Sequence, residues 1–259
     1  MNNRVRTLWE RGEPAVVGWL QMPGTLHAEA LARAGYDAIV IDLQHSPIDF
    51  STAVPMIIAV ENGGAEPFVR VRWNDQSEIM KLLDAGAYGI VVPMIDTAAQ
   101  AAAFAAALHY PPRGVRSFGP RRPPFRFGPG YAAMASQTVV SLAMIETRDG
   151  IANLDAILAT EGYDGVFIGP TDLALALGKE PKPDSADPAV VEVVRTIRER
   201  AHAAGKKAGI FCAGAAFARE KLAEGFDLVS VAPDLAMLVG AARTIVEETR
   251  RGLPARKAG

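Results

Sequence analysis

Glu146, Asp172, His45 and Arg70 each stand within or just beyond a short apolar run, and their types suit chemistry on an oxygen-rich substrate. Glu146 follows the run Val139–Ile145, and Asp172 follows Val166–Gly169 in the phrase Gly169-Pro170-Thr171-Asp172. The chain has one cysteine and no paired histidines, so these carboxylates describe a hard oxygen-ligand set. Mg²⁺ or Mn²⁺ fits such a set, with waters and a chelating substrate completing the octahedron. The plainer alternative is two ordinary salt-bridged carboxylates. His45 lies in Ile41-Asp42-Leu43-Gln44-His45-Ser46, and a histidine there can take up a proton near neutral pH, as a general base must. Structural hydrogen bonding is its alternative role. Arg70, in Phe68-Val69-Arg70-Val71-Arg72, is costly to bury without an anion and would serve against an enolate oxygen or a carboxylate. Only one of Arg70 and Arg72 can face a given side of a strand, and a period of two does not choose between them.

Those residues need elements to hold them. Strands are expected at Val16–Leu20, Ala38–Asp42, Phe68–Val71, Ile90–Pro93, Val139–Ile145, Val166–Gly169, Ala208–Phe211 and Leu228–Val231, each nearly continuous in apolar residues, as parallel strands buried on both faces are. Helical spacing fills the intervals Thr25–Ala34, Thr52–Glu61, Gln76–Ala85, Thr97–Leu108, Gly150–Ala159, Pro188–Ala204, Ala215–Glu224 and Asp234–Arg250. Thr25 and Asp234 are expected to cap helix starts, Pro188 to occupy a first helical position, and Gly35, Gly86, Gly205 and Gly225 to close helices. Eight such units predict a single (β/α)8 TIM barrel over residues 1–259, with chemistry at the C-terminal strand ends. A doubly wound sheet is the rival, but its usual glycine-rich turn after the first strand is missing. Trp19 and Gln21, Asp42 to His45, Arg70 or Arg72, Glu146 and Gly169–Asp172 all fall at the predicted active rim. One long segment, His109–Gly130, is crowded with Pro, Gly and Arg. It is either a solvated basic excursion or part of the active-site mouth or a subunit interface.

Composition narrows the classes further. Of 259 residues, 49% are hydrophobic and 22% charged, ordinary for a globular enzyme. The net charge of −2 argues against nucleic-acid binding. With Cys212 alone, neither an intrachain disulfide nor a cysteine zinc site can form. The N-terminal segment, with Arg4, Arg6, Glu10, Arg11 and Glu13, does not read as a signal peptide, and no run reads as a membrane span, so a cytoplasmic protein is expected.

The order of motifs resembles the class II 2-oxo acid aldolases, the 4-hydroxy-2-oxoheptanedioate aldolase group within the citrate-lyase-beta-like superfamily. The resemblance runs from about Gly18 to Arg250. It rests on Tyr36-Asp37, Ile41–His45, Val69-Arg70-Val71, Leu82–Ala87, Val92-Pro93-Met94, Tyr110–Arg116, Ile145-Glu146-Thr147 and Phe167–Leu173, in that order. It implies Glu146 and Asp172 as ligands of a divalent ion (Mg²⁺ or Mn²⁺, with Co²⁺ a further candidate). His45 would be the acid/base residue, Arg70 the contact to the substrate oxo group, and Asp84 the partner of His45. The turn Gly169, Pro170, Thr171, Asp172 would bind the substrate carboxylate through its amides. Trp19 and Arg116 are weaker correspondences that packing or interface roles would explain equally; Trp19 and Gln44 join the expected substrate-binding set. Gln44 replaces a glutamate common in the family, a change that would alter water binding at the ion or the basicity of His45 and mark a subgroup with broader hydroxy-ketoacid substrates.

The implied reaction is reversible cleavage of a 4-hydroxy-2-oxo acid to pyruvate, or a related 2-oxo acid, and an aldehyde through a metal-stabilised enolate. Cleavage of 2-keto-3-deoxy sugar acids is the close alternative, with the same chemistry and a different aldehyde half. A citramalyl or malyl thioester lyase lacks an obvious region for a coenzyme A tail. A Schiff-base aldolase needs a lysine at the active rim, whereas Lys206 and Lys207 precede strand 7. A phosphate-binding barrel would want glycine-rich loops after strands 7 and 8, where Pro233-Asp234 stands instead. A non-catalytic binding barrel has no use for His45, Arg70, Glu146 and Asp172 on one rim. Partners are expected to be the small-molecule acid and aldehyde, with no nucleic acid and no membrane. A homo-oligomer, trimer or hexamer, is implied by the resemblance, with the last helix (about 234–250) exchanged between subunits or simply covering the barrel.

Overall fold

The protein is described by a computed structural model covering residues 3–252; the expected domain, 1–259, extends beyond these at both ends. The strands are β1 (Ala15–Leu20), β2 (Ala38–Asp42), β3 (Glu66–Arg70), β4 (Gly89–Val92), β5 (Val140–Met144), β6 (Gly165–Ile168), β7 (Lys207–Cys212) and β8 (Leu228–Pro233). All pair in parallel and in sequence order, and β8 closes on β1. The expected (β/α)8 barrel is therefore present, and every expected strand overlaps an observed one.

The helices, in chain order, are α1 (Arg4–Glu10), α2 (Thr25–Ala32), α3 (Phe50–Gly63), α4 (Gln76–Asp84), α5 (Ala98–Leu108), α6 (Pro123–Phe127), α7 (Tyr131–Thr138), α8 (Arg148–Ala152), α9 (Leu154–Leu158), α10 (Pro170–Ala176), α11 (Pro188–Ala203), α12 (Ala215–Ala223) and α13 (Asp234–Arg250). The helix expected over Gly150–Ala159 is two short ones, because Asn153 leaves helical geometry and serves as cap to both. Thr25 is not a cap: Gly24 holds that position without a side-chain bond. Asp234 likewise lies inside α13, one residue beyond the cap Pro233. Pro188 does open α11, with Asp187 as its cap. Gly35 and Gly86 follow α2 and α4 with φ of +101° and +97°, values an L side chain adopts only with strain.

Side chains alternate between the barrel interior and the sheet–helix layer. The interior holds Val17, Trp19, Val40, Phe68, Leu142 and Phe167 among others. Gly89 leaves room for one of them, since a Cβ there would lie 2.2 Å from the Phe68 ring. At the N-terminal end α1 inserts Val5 into this interior. Asn3 fixes α1 there, its Nδ2 donating to the carbonyls of Tyr88 (2.8 Å) and Thr138 (3.0 Å).

The His109–Gly130 segment is not a solvated excursion. Arg116 is buried, donates to Asp84 Oδ1 at 3.0 Å and stacks 4.6 Å from the Tyr110 ring. Arg126 donates to both Glu66 oxygens at 2.7 and 2.8 Å, and Arg122 pairs with Glu61. Because Glu66 begins β3, this segment packs toward the rim opposite the strand C-termini. Among the described residues, no helix is long and apolar enough to cross a membrane.

Candidate active site

A cavity of about 310 Å³ opens at the C-terminal strand ends. Its polar lining is Gln21 after β1, His45 after β2, Arg70 ending β3, Glu146 after β5 and Thr171 and Asp172 in α10. Trp19, Phe167 and Phe211 form its apolar wall, with Trp19 stacked on Phe167 at 5.7 Å and edge-on to Phe211 at 5.4 Å. Among the described residues, no lysine lines it. A smaller cavity of about 170 Å³ near Arg6 and His109 lies at the other rim, where Arg6 already neutralises Asp164.

Arg70 is positioned by strand register. Asp42 ends β2 directly beside it, and the two residues are paired across the sheet. Arg70 Nε donates to Asp42 Oδ1 at 2.9 Å and Nη2 to Oδ2 at 2.6 Å, a bidentate pair. Trp19 Nε1 donates to the same carboxylate at 3.2 Å, and its ring lies 4.9 Å from the guanidinium. The amides of Gln44 and His45 also donate to Asp42 Oδ1, at 3.0 and 3.2 Å, which shapes the turn that brings His45 to the cavity. Burial alone would push the Asp42 carboxyl up; the Arg70 pair and the other donors outweigh it and hold it below the usual range. Arg72 has the opposite fate: it leaves the barrel and pairs with Glu78 at 2.7 Å. Register thus settles the choice between the two arginines.

Glu146 is 2% exposed. Its Oε1 accepts the Met94 N–H at 3.1 Å, and Met94 holds φ +57° to aim that amide. Its Oε2 is buried with no hydrogen-bond partner. Burial, then the nearby charge of Asp172, push its carboxyl up to about 7, against the Met94 amide and Arg70. A buried carboxylate oxygen without a donor, facing a second carboxylate, is the donor set that a divalent cation satisfies. The residues present therefore fit such an ion. Gly169 makes the close approach possible, because a Cβ there would meet Glu146 Oε2 at 2.3 Å. Beyond it, Pro170 opens α10, and Thr171 and Asp172, which line the cavity, precede the first intrahelical bond, Leu173 N to Gly169 O, so their amides have no acceptor within the helix.

Two expected site residues, and the weaker correspondence Arg116, are placed elsewhere. Asp84 ends α4, and helix C-termini lie at the rim opposite the site; its carboxylate pairs with Arg116, so no contact with His45 is made within this chain. Gln44 does not line the cavity; its Oε1 is buried without a partner beside the Asp42 turn. Arg116 is a packing residue of the opposite rim. Asp42 anchors Arg70 without a motif of its own in the sequence; the available signal is that a buried arginine demands an anion and Asp42 occupies the matching strand end. Met94, an apolar residue acting through its amide, carried no such signal.

Residues 16–241 match the HpcH/HpaI aldolase/citrate lyase family. The chain belongs to that family. A hydroxypyruvate/pyruvate aldolase of Rhizorhabdus wittichii is 65% identical over 96% of this chain and 99% of its own length. A 5-keto-4-deoxy-D-glucarate aldolase of Escherichia coli (strain K12 / DH10B) is 35% identical over 90% of this chain and 91% of its own. Among solved structures, an HpcH/HpaI aldolase/citrate lyase family protein from Burkholderia cenocepacia J2315 superimposes with a TM-score of 0.88 at 31% identity, covering 96% of this chain and 100% of that one. The protein is thus an aldolase, a carbon–carbon lyase.

Proposed function

We propose that this aldolase reversibly cleaves 4-hydroxy-2-oxo acids to pyruvate, or a related 2-oxo acid such as hydroxypyruvate, and an aldehyde, with a divalent ion held by Glu146 and Asp172. The observation that carries the reading is the unpartnered, buried Oε2 of Glu146 beside Asp172, in one cavity with Arg70 and His45. Divalent-ion dependence is general in the family. A bound ion would supply Lewis-acid polarisation of the 2-oxo group.

The chain's own groups account for the rest. Arg70 uses Nε and Nη2 on Asp42, which leaves Nη1 for the substrate oxygen that becomes negative as the enolate forms. Asp42 fixes that guanidinium before substrate arrives, so little ordering remains to be done in the reaction. His45 takes the proton of the 4-hydroxyl as the C3–C4 bond breaks; the bond's electrons pass into the enolate, the aldehyde leaves, and a proton returned to C3 of the enolate completes the 2-oxo acid. The amides of Thr171 and Asp172 are suited to the substrate carboxylate. Trp19, Phe167 and Phe211 keep water from one face of the enolate. Cleavage of 2-keto-3-deoxy sugar acids needs the same groups, and the relative named for 5-keto-4-deoxy-D-glucarate supports it as the second reading.

Substitution separates these roles. Glu146→Ala and Asp172→Ala should each abolish metal-dependent pyruvate release while circular dichroism shows an intact fold; full turnover in both would remove the ligand assignment. His45→Ala should slow aldol cleavage far more than exchange of pyruvate methyl protons, and equal losses would place His45 in another step.

A further inference from the structure

At the end of β1 the barrel ladder fails, and a carboxylate takes over. The β1–β8 register slips between Val17 and Trp19, so that Trp19 pairs with Pro233. Ala232 takes φ +44° at the slip, and Pro233 has no N–H to offer. Beyond this point the amides of Gln21 and Met22 have no strand to bond. They donate instead to Asp234, Gln21 N to Oδ1 at 2.8 Å and Met22 N to Oδ2 at 3.1 Å. The same carboxylate accepts its neighbour's amide, Leu235 N, at 2.8 Å and faces His27 Nε2 at 3.3 Å. Asp234 is 6% exposed and is the one buried residue of α13.

What this arrangement holds in place is the backbone of Gln21, a residue that lines the active cavity. In the barrel, β1 is next to β2, which leads to His45, and lies across from β5 and β6, which lead to Glu146 and Asp172. On the proposed reading, on which this inference rests, the 2-oxo and carboxylate end of the substrate lies at Glu146 and Asp172, and C4 at His45. The aldehyde half then extends along the Gln21 side. An uncharged amide there offers two donors and an acceptor, which suits hydroxyl groups.

We propose that Gln21 is a specificity-determining residue that hydrogen-bonds a hydroxyl of the aldehyde half, and that Asp234 is the positioning residue that fixes it. The substrate class that follows is the 2-hydroxyaldehydes, with apolar aldehydes of equal size disfavoured. A site built to bond a hydroxyl rejects the analogue that lacks it, because its own polar group is left unpaired.

The test is the ratio of kcat/KM for glycolaldehyde to that for propanal, each added to pyruvate. In Gln21→Leu the ratio should fall about tenfold, the worth of one neutral hydrogen bond. In Asp234→Asn, where an NH₂ group would oppose one of the two amides, it should fall several-fold, mainly through KM for glycolaldehyde. An unchanged ratio in Gln21→Leu overturns the specificity role. A fall in Gln21→Leu with an unchanged ratio in Asp234→Asn overturns the positioning role. Gln21 is partly exposed and meets Asp234 through its backbone amide rather than its side chain, so the first variant decides even where the second fails to fold. Wild-type protein that exchanges pyruvate methyl protons but shows no preference for glycolaldehyde overturns this proposal alone; wild-type protein that does neither exchange nor addition overturns the enolate reading as well.

Discussion

Arg70 and Asp42 form the most constrained contact of the site, a bidentate pair with side chains 9% and 0% exposed. Removing one partner of a buried pair leaves the other charge uncompensated, at a cost of about 3–5 kcal/mol. Arg70→Ala is therefore expected to lower stability in urea by that amount, and the double variant Asp42→Asn/Arg70→Ala to recover most of it. Glu146 has the opposite balance. Its carboxyl is raised from 4.5 to about 7, so the folded state binds the proton more tightly than the unfolded chain does. Without an ion its contribution to stability is then fully present at low pH and is lost as pH rises from 4.5 through about 7, a loss of roughly 3 kcal/mol. Glu146→Gln keeps an acceptor for the Met94 amide but carries no charge. Its melting temperature, measured after EDTA treatment, should exceed that of wild type by several degrees near pH 8 and match it more closely near pH 5, and Mn²⁺ should stabilise wild type only. A variant that melts below wild type at both pH values would refute the buried-charge account. The types of Glu146, Asp172, His45 and Arg70 were legible in the sequence because ionisable residues at the ends of apolar runs are conspicuous. Asp42 was passed over because its role is to hold another side chain, which only register reveals.

At the scale of elements, the strands were legible because burial on both faces leaves a near-continuous apolar run, as in Ala38–Asp42. The short helices α6, α7 and α10 were not. They have five to eight residues, too short for a helical period to emerge from a Pro- and Gly-rich background. α10 nevertheless carries Asp172, and its approach to β5 depends on Gly169. Alanine at that position would press on Glu146 Oε2. Gly169→Ala should weaken Mn²⁺ binding at least tenfold by titration calorimetry while leaving the circular dichroism spectrum unchanged. Unaltered affinity would mean that Glu146 Oε2 is not a ligand. The arginines of His109–Gly130 were misleading in sequence, because a run of basic residues does not disclose that Glu61, Glu66 and Asp84 await them on α3, β3 and α4.

For the whole molecule, the barrel closes and α13 runs beyond it with Leu238, Ile245 and Val246 at 55%, 64% and 47% exposure. The homo-oligomer implied by the family resemblance would cover these residues. Sedimentation equilibrium should then give a trimer or hexamer of the 27.5 kDa chain, and Leu238→Glu/Ile245→Glu a smaller species. A wild-type monomer would leave α13 without that role. Assembly was not legible in the sequence, since the same apolar residues could have covered the chain's own barrel. The central claim, a carboxylate-held divalent ion working with Arg70 and His45 on a 2-oxo acid, is tested most directly by pyruvate release from 4-hydroxy-2-oxo acids after EDTA treatment, with Mg²⁺, Mn²⁺ or Co²⁺ then restored. Activity should disappear with the ion and return with it; turnover indifferent to chelation would contradict the assignment of Glu146 and Asp172.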